Sequence, residues 1–232
     1  MMFKGSLFAG LLATALFFNA GSAKASSVTG QANIAGSVSV DLHNIIFNPT
    51  FTSTGGAALQ TGSFAGLTGG TIMSLTGGPG TGAVNFPNFI SFNLGVATPV
   101  TFDLTDIAPG VGTQAACASS VLGSTCTPNG SPFTLVQLTS GTVSESLQLN
   151  GIAYTGSAAT GTSATRGVFS TQTVINGNVP DIIAALNAGQ TISGITYSAS
   201  FAASPVPEPG SMLLMGLGLA GAGLIARRKA KA

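Results

Sequence analysis

The hexapeptide Val100-Thr101-Phe102-Asp103-Leu104-Thr105 carries the decisive pattern of the chain. Read as extended backbone, it sets Val100, Phe102 and Leu104 on one face and Thr101, Asp103 and Thr105 on the other. A period of two is the mark of a half-buried strand. The same alternation recurs in residues 89–94, where Ile90, Phe92 and Leu94 share a side, and in residues 143–149 and 195–201. Shorter candidates lie at 37–41, 45–47, 70–75, 134–138, 152–156 and 168–173. Glycine pairs at 55–56, 69–70 and 77–78 punctuate them as turns. The expected class is all-β: one antiparallel domain, a β-sandwich or a jelly-roll-like or barrel-like variant. One segment departs from this. Residues 179–189 carry apolar positions at helical spacing, with Pro180 and Asp181 near the start and Gly189 after the end. They predict a single short helix that covers an end or edge of the sheet.

Composition narrows the class further. Of 232 residues, 44% are hydrophobic and only 6% charged, against about 25% charged in an ordinary soluble domain. Ser, Thr, Asn and Gln must therefore supply the polar surface. Six of the seven bases sit near the ends, and between Ser26 and Pro205 a single base, Arg166, faces five acids. That body has no basic patch for a phosphate backbone, so nucleic acid is excluded as a partner.

Both ends read as addresses. Lys4 precedes an apolar stretch from Leu7 to Phe18, and Ala23-Lys24-Ala25 supplies a small-residue cleavage site before Ser26. Residues 1–25 are thus expected to be a signal peptide, cut between Ala25 and Ser26. The domain predicted for residues 26–203 would then face an oxidising space. At the other end, residues 211–226 form a run of 16 without a charge, about 24 Å long as a helix. Arg227, Arg228, Lys229 and Lys231 follow it directly. The positive-inside rule keeps that basic tail in the cytoplasm and the body outside, with a membrane helix between them. Gly216, Gly218 and Gly221 match G-x-G-x-x-G, but no strand pattern precedes them and no acid follows them. They are read as small residues of a membrane helix, not as a dinucleotide site.

Residues 204–232 hold three ordered features: Val206-Pro207-Glu208-Pro209, the apolar run and the basic tail. This tripartite pattern resembles the PEP-CTERM sorting signal. Both prolines hold the tetrapeptide extended, a form suited to a protease groove. The resemblance implies recognition by exosortase, a membrane-embedded cysteine enzyme of Gram-negative bacteria that make exopolysaccharide. It also implies a transient anchor at the inner membrane, then release to the cell surface or matrix. The phrases FAGLTGGTI, TFDLTDIAPG, SPFTLVQ and YSASFAA resemble, more loosely, β-rich domains of other PEP-CTERM proteins.

Few residues of the body suggest chemistry. Cys117 and Cys126 enclose eight residues; without clustered histidines they cannot complete a metal site, and an exported disulfide is expected. Asp103 and Asp106 are the close acid pair. A calcium ion there would draw on Thr105 and Asn93 for further oxygens, although no calcium-loop motif is present. His43 is the one histidine, two positions from Asp41, and a hydrogen-bonded surface pair is expected. Lacking a nucleophile elbow, and with no Trp and two Tyr for a sugar platform, the body is expected to be neither an enzyme nor a cofactor protein. The leading expectation is an exported structural or interaction protein of the surface or exopolysaccharide matrix. A carbohydrate- or calcium-binding matrix module is the alternative, and a secreted hydrolase using Asp103, Asp106 or His43 the third reading.

Overall fold

The computed structural model describes residues 27–78, 80–158, 161–171, 175–205 and 216–219. Its strands are β1 (Gly30–Val40), β2 (Ile45–Phe47), β3 (Thr50–Ser53), β4 (Gly69–Ile72), β5 (Gly82–Leu94) and β6 (Val100–Ile107). They continue as β7 (Thr125–Cys126), β8 (Phe133–Thr139), β9 (Thr142–Thr155), β10 (Ser163–Thr171), β11 (Ile175–Asn176) and β12 (Ile192–Pro205). The helix α1 (Val179–Asn187) stands between β11 and β12.

Eight strands are neighbours in space in the order they have in the chain: β1, β3, β4, β5, β6, β9, β10 and β12. β12 then pairs antiparallel with β1, Phe201 opposite Ala32, and the ring is closed. This is an up-and-down antiparallel barrel. The expected all-β class and short helix are present, but the sandwich or jelly-roll-like order is corrected. A jelly roll needs Greek-key crossovers, whereas each ring strand here lies beside its sequence neighbour. Closure also removes the edges that a two-sheet sandwich would leave.

The interior of an eight-stranded barrel is just wide enough for side chains, and here it is filled by rings. Phe47, Phe51, Phe64, Phe89, Phe92, Phe102, Phe169, Tyr197 and Phe201 belong to one buried cluster. Phe92 meets Phe51, Phe64 and Phe201 edge to face, with centroids 5.0–5.6 Å apart. Such contacts add about 0.5–1.5 kcal/mol each beyond area burial. Room for the rings is made by glycines directly across the strand pairs, Gly36 opposite Tyr197, Gly70 opposite Phe51 and Gly167 opposite Phe201. An equally close approach to that at Gly70 occurs at Gly151 of β9, where a Cβ would lie 2.0 Å from the Asp103 carbonyl oxygen and 2.7 Å from the Phe102 ring.

β9 is the strand on which the ring closes. Its later residues pair with β6 and its middle with β10, while its first residues leave the barrel to pair with β8 and β11. Around that protruding end lies a second buried cluster of Cys117, Cys126, Leu135, Val143, Val179 and Ile182. The disulfide Cys117–Cys126 is formed and ties the 3-10 turn Gln114–Ala118 to β7. Helix α1 caps this cluster, as expected. Asn178 and Asp181 form a capping box at its start, and the buried Gln137 accepts from the Val179 amide while donating to the carbonyls of Thr139 and Thr142.

Three expectations about boundaries change. The strands expected at 143–149 and 152–156 are one strand, β9, running through Asn150-Gly151. The Gly/Thr/Ser-rich stretch 158–165, whose composition by itself reads as a loop, includes the start of β10, with Ser163 and Thr165 buried. The domain boundary set at 203 also moves, because β12 continues to Pro205. The expected signal peptide lies outside the described residues. Of the expected membrane helix only residues 216–219 are described, and they are helical. Among the described residues no helix is long and apolar enough to cross a membrane.

Two outcomes follow from this architecture. Gly151→Ala should destabilise the barrel by roughly 1–3 kcal/mol or more, because its methyl meets backbone that cannot move aside; a thermal melt reads this as a lowered Tm. Replacing both cysteines by alanine should cost about 2–3 kcal/mol on the chain-entropy model. A denaturant midpoint unchanged in the double variant would contradict a stabilising bridge.

Candidate functional site

Where β9 leaves the barrel, three segments meet around a cleft of about 230 Å³. The β1–β2 turn and the start of β2 contribute Leu42 and Ile45, the segment leading into β8 contributes Pro132 and Phe133, and α1 contributes Ile182, Ile183 and Leu186. The walls are therefore mostly apolar, while Asp41, His43, Asn44, Asn129 and Asn187 also line it.

The turn is built by its own side chains. Asp41 Oδ1 accepts from the His43 amide at 2.8 Å, and both Asp41 oxygens accept from the Asn44 side-chain amide at 3.0 Å. These bonds, the Asn44 amide foremost, hold the Asp41 carboxyl below its ordinary value. Asn44 Oδ1 in turn accepts from the Gly77 amide. The expected Asp41–His43 pair thus exists through the backbone amide of His43 and not through its ring.

Glu145 also lines the cleft. In the first half of β9 the buried positions are Val143, Glu145, Leu147 and Leu149, so a carboxylate stands in an apolar row. Val143 belongs to the outer cluster and Leu147 to the barrel core; Glu145 sits between them. Only 8% of the residue is exposed. Its backbone amide donates to Thr171 Oγ1, but its carboxyl has no hydrogen-bond or ionic partner among the described residues. Burial alone pushes that carboxyl up from 4.5 to about 7. Glu145 also lines a smaller open pocket of about 30 Å³, shared with Phe169 and Tyr197. The Tyr197 hydroxyl is likewise without a partner among the described residues, and burial raises its pKa.

Glu145 was legible as an anomaly. The alternation of residues 143–149 already places it on the apolar face, but without the fold nothing says whether such an acid is paired, solvated or facing a cleft.

The acids expected to carry chemistry lie elsewhere, on β6. A bulge between Leu104 and Asp106 keeps Leu104 and Ile107 buried while Asp103, Thr105 and Asp106 stay outside. Asp103 Oδ1 accepts from the Asn88 amide at 2.7 Å and from the Tyr154 hydroxyl at 3.1 Å. Asn88 holds a positive φ of 55° within β5, so Asp103 fixes a strained bulge. Asp106 accepts from the Asn150 side chain at 2.8 Å. Asn150 accepts from Gln148, to which Arg166 donates, giving a polar ladder across β6, β9 and β10. Thr105 donates weakly to the Asn150 carbonyl. The structure does not bring Asp103 or Asp106 to the cleft lined by His43. Among the described residues no group of three or more metal-ligating side chains is gathered.

The sorting residues Val206, Pro207, Glu208 and Pro209, the basic residues Arg227, Arg228, Lys229 and Lys231, and the cleavage pair Ala25 and Ser26 lie outside the described residues. A family model for the PEP-CTERM protein-sorting motif matches residues 205–229. This is a PEP-CTERM domain-containing protein. The motif makes the chain an exported protein targeted to exosortase. No curated protein and no solved structure matches the chain significantly. In this PEP-CTERM protein the matched motif begins at Pro205, where β12 ends.

The buried acid has a measurable consequence. With a folded pKa above the unfolded one, Glu145 binds more protons folded than unfolded between pH 4.5 and about 7. Stability should therefore fall as pH rises through that window, by about 3 kcal/mol if Glu145 acted alone. Glu145→Gln should remove this loss. Denaturation at a series of pH values checks it, and parallel profiles for the two proteins would contradict the assignment.

Proposed function

We propose that this chain is a non-catalytic structural or interaction protein, delivered by exosortase processing to the cell surface or exopolysaccharide matrix of a Gram-negative bacterium. A signal peptide at 1–25 and a membrane helix at 211–226, retained only until processing, complete the route. The observation that carries the reading is the junction at Pro205. The last barrel strand is paired with β10 up to that residue, opposite Ser163, and the sorting motif starts there. Removal of the motif and all that follows therefore takes no strand from the barrel.

The surface supports contact with a hydrated polymer in preference to catalysis. The outer face carries amide and hydroxyl ladders, such as Gln31 donating to Asn33 and Ser200, and little charge. No aromatic ring is exposed among the described residues, so sugar contact would rest on those polar groups and not on ring stacking. The calcium alternative is not favoured, since Asp103 and Asp106 already serve neutral donors of the fold.

The test is the intact mass and location of the protein in producing cells. The matured form should lack residues 227–232 and co-extract with the exopolysaccharide, whereas Glu208→Ala should retain them in the membrane fraction. If both proteins keep the basic tail, processing at this motif is refuted. If the trimmed protein is found only in the periplasm, the matrix role fails while the processing stands.

A further inference from the structure

The cleft at the barrel end has the features of a small-molecule site that the sorting motif does not account for. It is concave and mostly apolar, with several exposed or half-buried polar side chains and a single buried polar group, a composition usual for a ligand pocket. That group belongs to Glu145, a residue more than nine-tenths buried that lines the cleft, its carboxyl unpaired among the described residues. An ionised carboxyl buried without a partner costs free energy, and a cation entering the cleft would offset that cost.

The charge around it specifies what that counter-group is. From the β1–β2 turn the cleft is lined by Asp41 and His43. Helix α1, loop 128–133, β8 and the start of β12 contribute no titratable side chain to it, and Tyr197 of β12 lines only the smaller neighbouring pocket. Arg166, the single base between Ser26 and Pro205, is on the outer face and bonded to Gln148. The cleft therefore holds two acids and no permanent cation among the described residues. Its volume of about 230 Å³ exceeds the roughly 150 Å³ that accommodates benzene in an apolar cavity, leaving space for a short arm beside a single ring.

We propose that this cleft binds a small organic cation, a primary ammonium group on a compact apolar body, with Glu145 as its counter-charge. The apolar body lies against Phe133, Ile183 and Leu186, and the ammonium group reaches the carboxylate. Binding requires the ionised carboxyl, so a proton leaves Glu145 as the amine enters. Affinity accordingly rises with pH.

Full-length protein in detergent, titrated calorimetrically with phenethylamine and with the neutral phenethyl alcohol, tests this. At about pH 8.5 the amine should bind measurably, and at about pH 5 roughly 100-fold more weakly, following the ionised fraction of Glu145. Histidine also gains charge in acid, and His43 stands at the rim, so the decisive comparison is Glu145→Gln. That variant should bind the amine at least about tenfold more weakly at the higher pH and show a much smaller pH effect, while binding the alcohol as the parent does. Ile183→Trp, which fills the mouth from the half-buried face of α1, should weaken both ligands. Equal binding of amine and alcohol, unchanged amine binding in Glu145→Gln, or no saturable binding of the amine would each overturn the proposal. A thermal melt of each variant establishes that the fold is retained; should Glu145→Gln fail to fold, the amine–alcohol difference and the Ile183→Trp result decide the matter.

Discussion

The constraint on which this structure rests is closure of the sheet at β9. A strand paired on both sides over its middle and later residues leaves no free edge there, and every barrel strand inherits the same two-sided support. Closure in turn fixes an interior of limited width. Because eight strands leave space only for side chains, the rings must interlock, and they do so by lying over glycines of the facing strand. Gly151 sits at the crossing itself, opposite both Leu104 and Thr165. A side chain there would separate β9 from β6 and reopen the ring.

The same strand also creates the site. Having closed the barrel, β9 overshoots it, and its protruding end needs its own cover. That is supplied by β7 and β8, the disulfide-pinned turn and α1, which build a second core against the first. The two cores do not merge completely. Glu145 lies at their junction and lines both the cleft and a smaller open pocket beside it. A carboxyl in this position weakens the fold as it ionises, whereas the other acids of the body all support local structure: Asp41 a turn, Asp103 a bulge, Asp106 a ladder, Asp181 a helix cap. Its difference from them is the physical basis for reading it as a ligand group.

Legibility of the fold in the sequence varied by element for identifiable reasons. β6 and β12 alternate cleanly, and their class is unambiguous. β9 was broken in two at Asn150-Gly151, a dipeptide that elsewhere makes turns; here the glycine is required for close strand approach. The start of β10 is rich in Gly, Thr and Ser and resembled a loop, yet pairing on both sides makes it strand. β5 extends to Gly82 despite Pro87, because bulges held by Asp103 carry the chain past the missing donor. The short strand β3 has too few residues to show a period. As for the site, His43 and the acids could be named from the sequence, but their partners come from other segments.

By itself the sequence determined the strand-rich class, the short helix near residues 179–189, the disulfide candidates and the sorting motif, because each is a short-range pattern read along the chain. The tertiary structure alone decided that the sheet closes into an up-and-down ring and that Glu145 meets the cleft. Both depend on which distant strands become neighbours, and period-two alternation fixes the face of a residue without fixing the partner across the sheet.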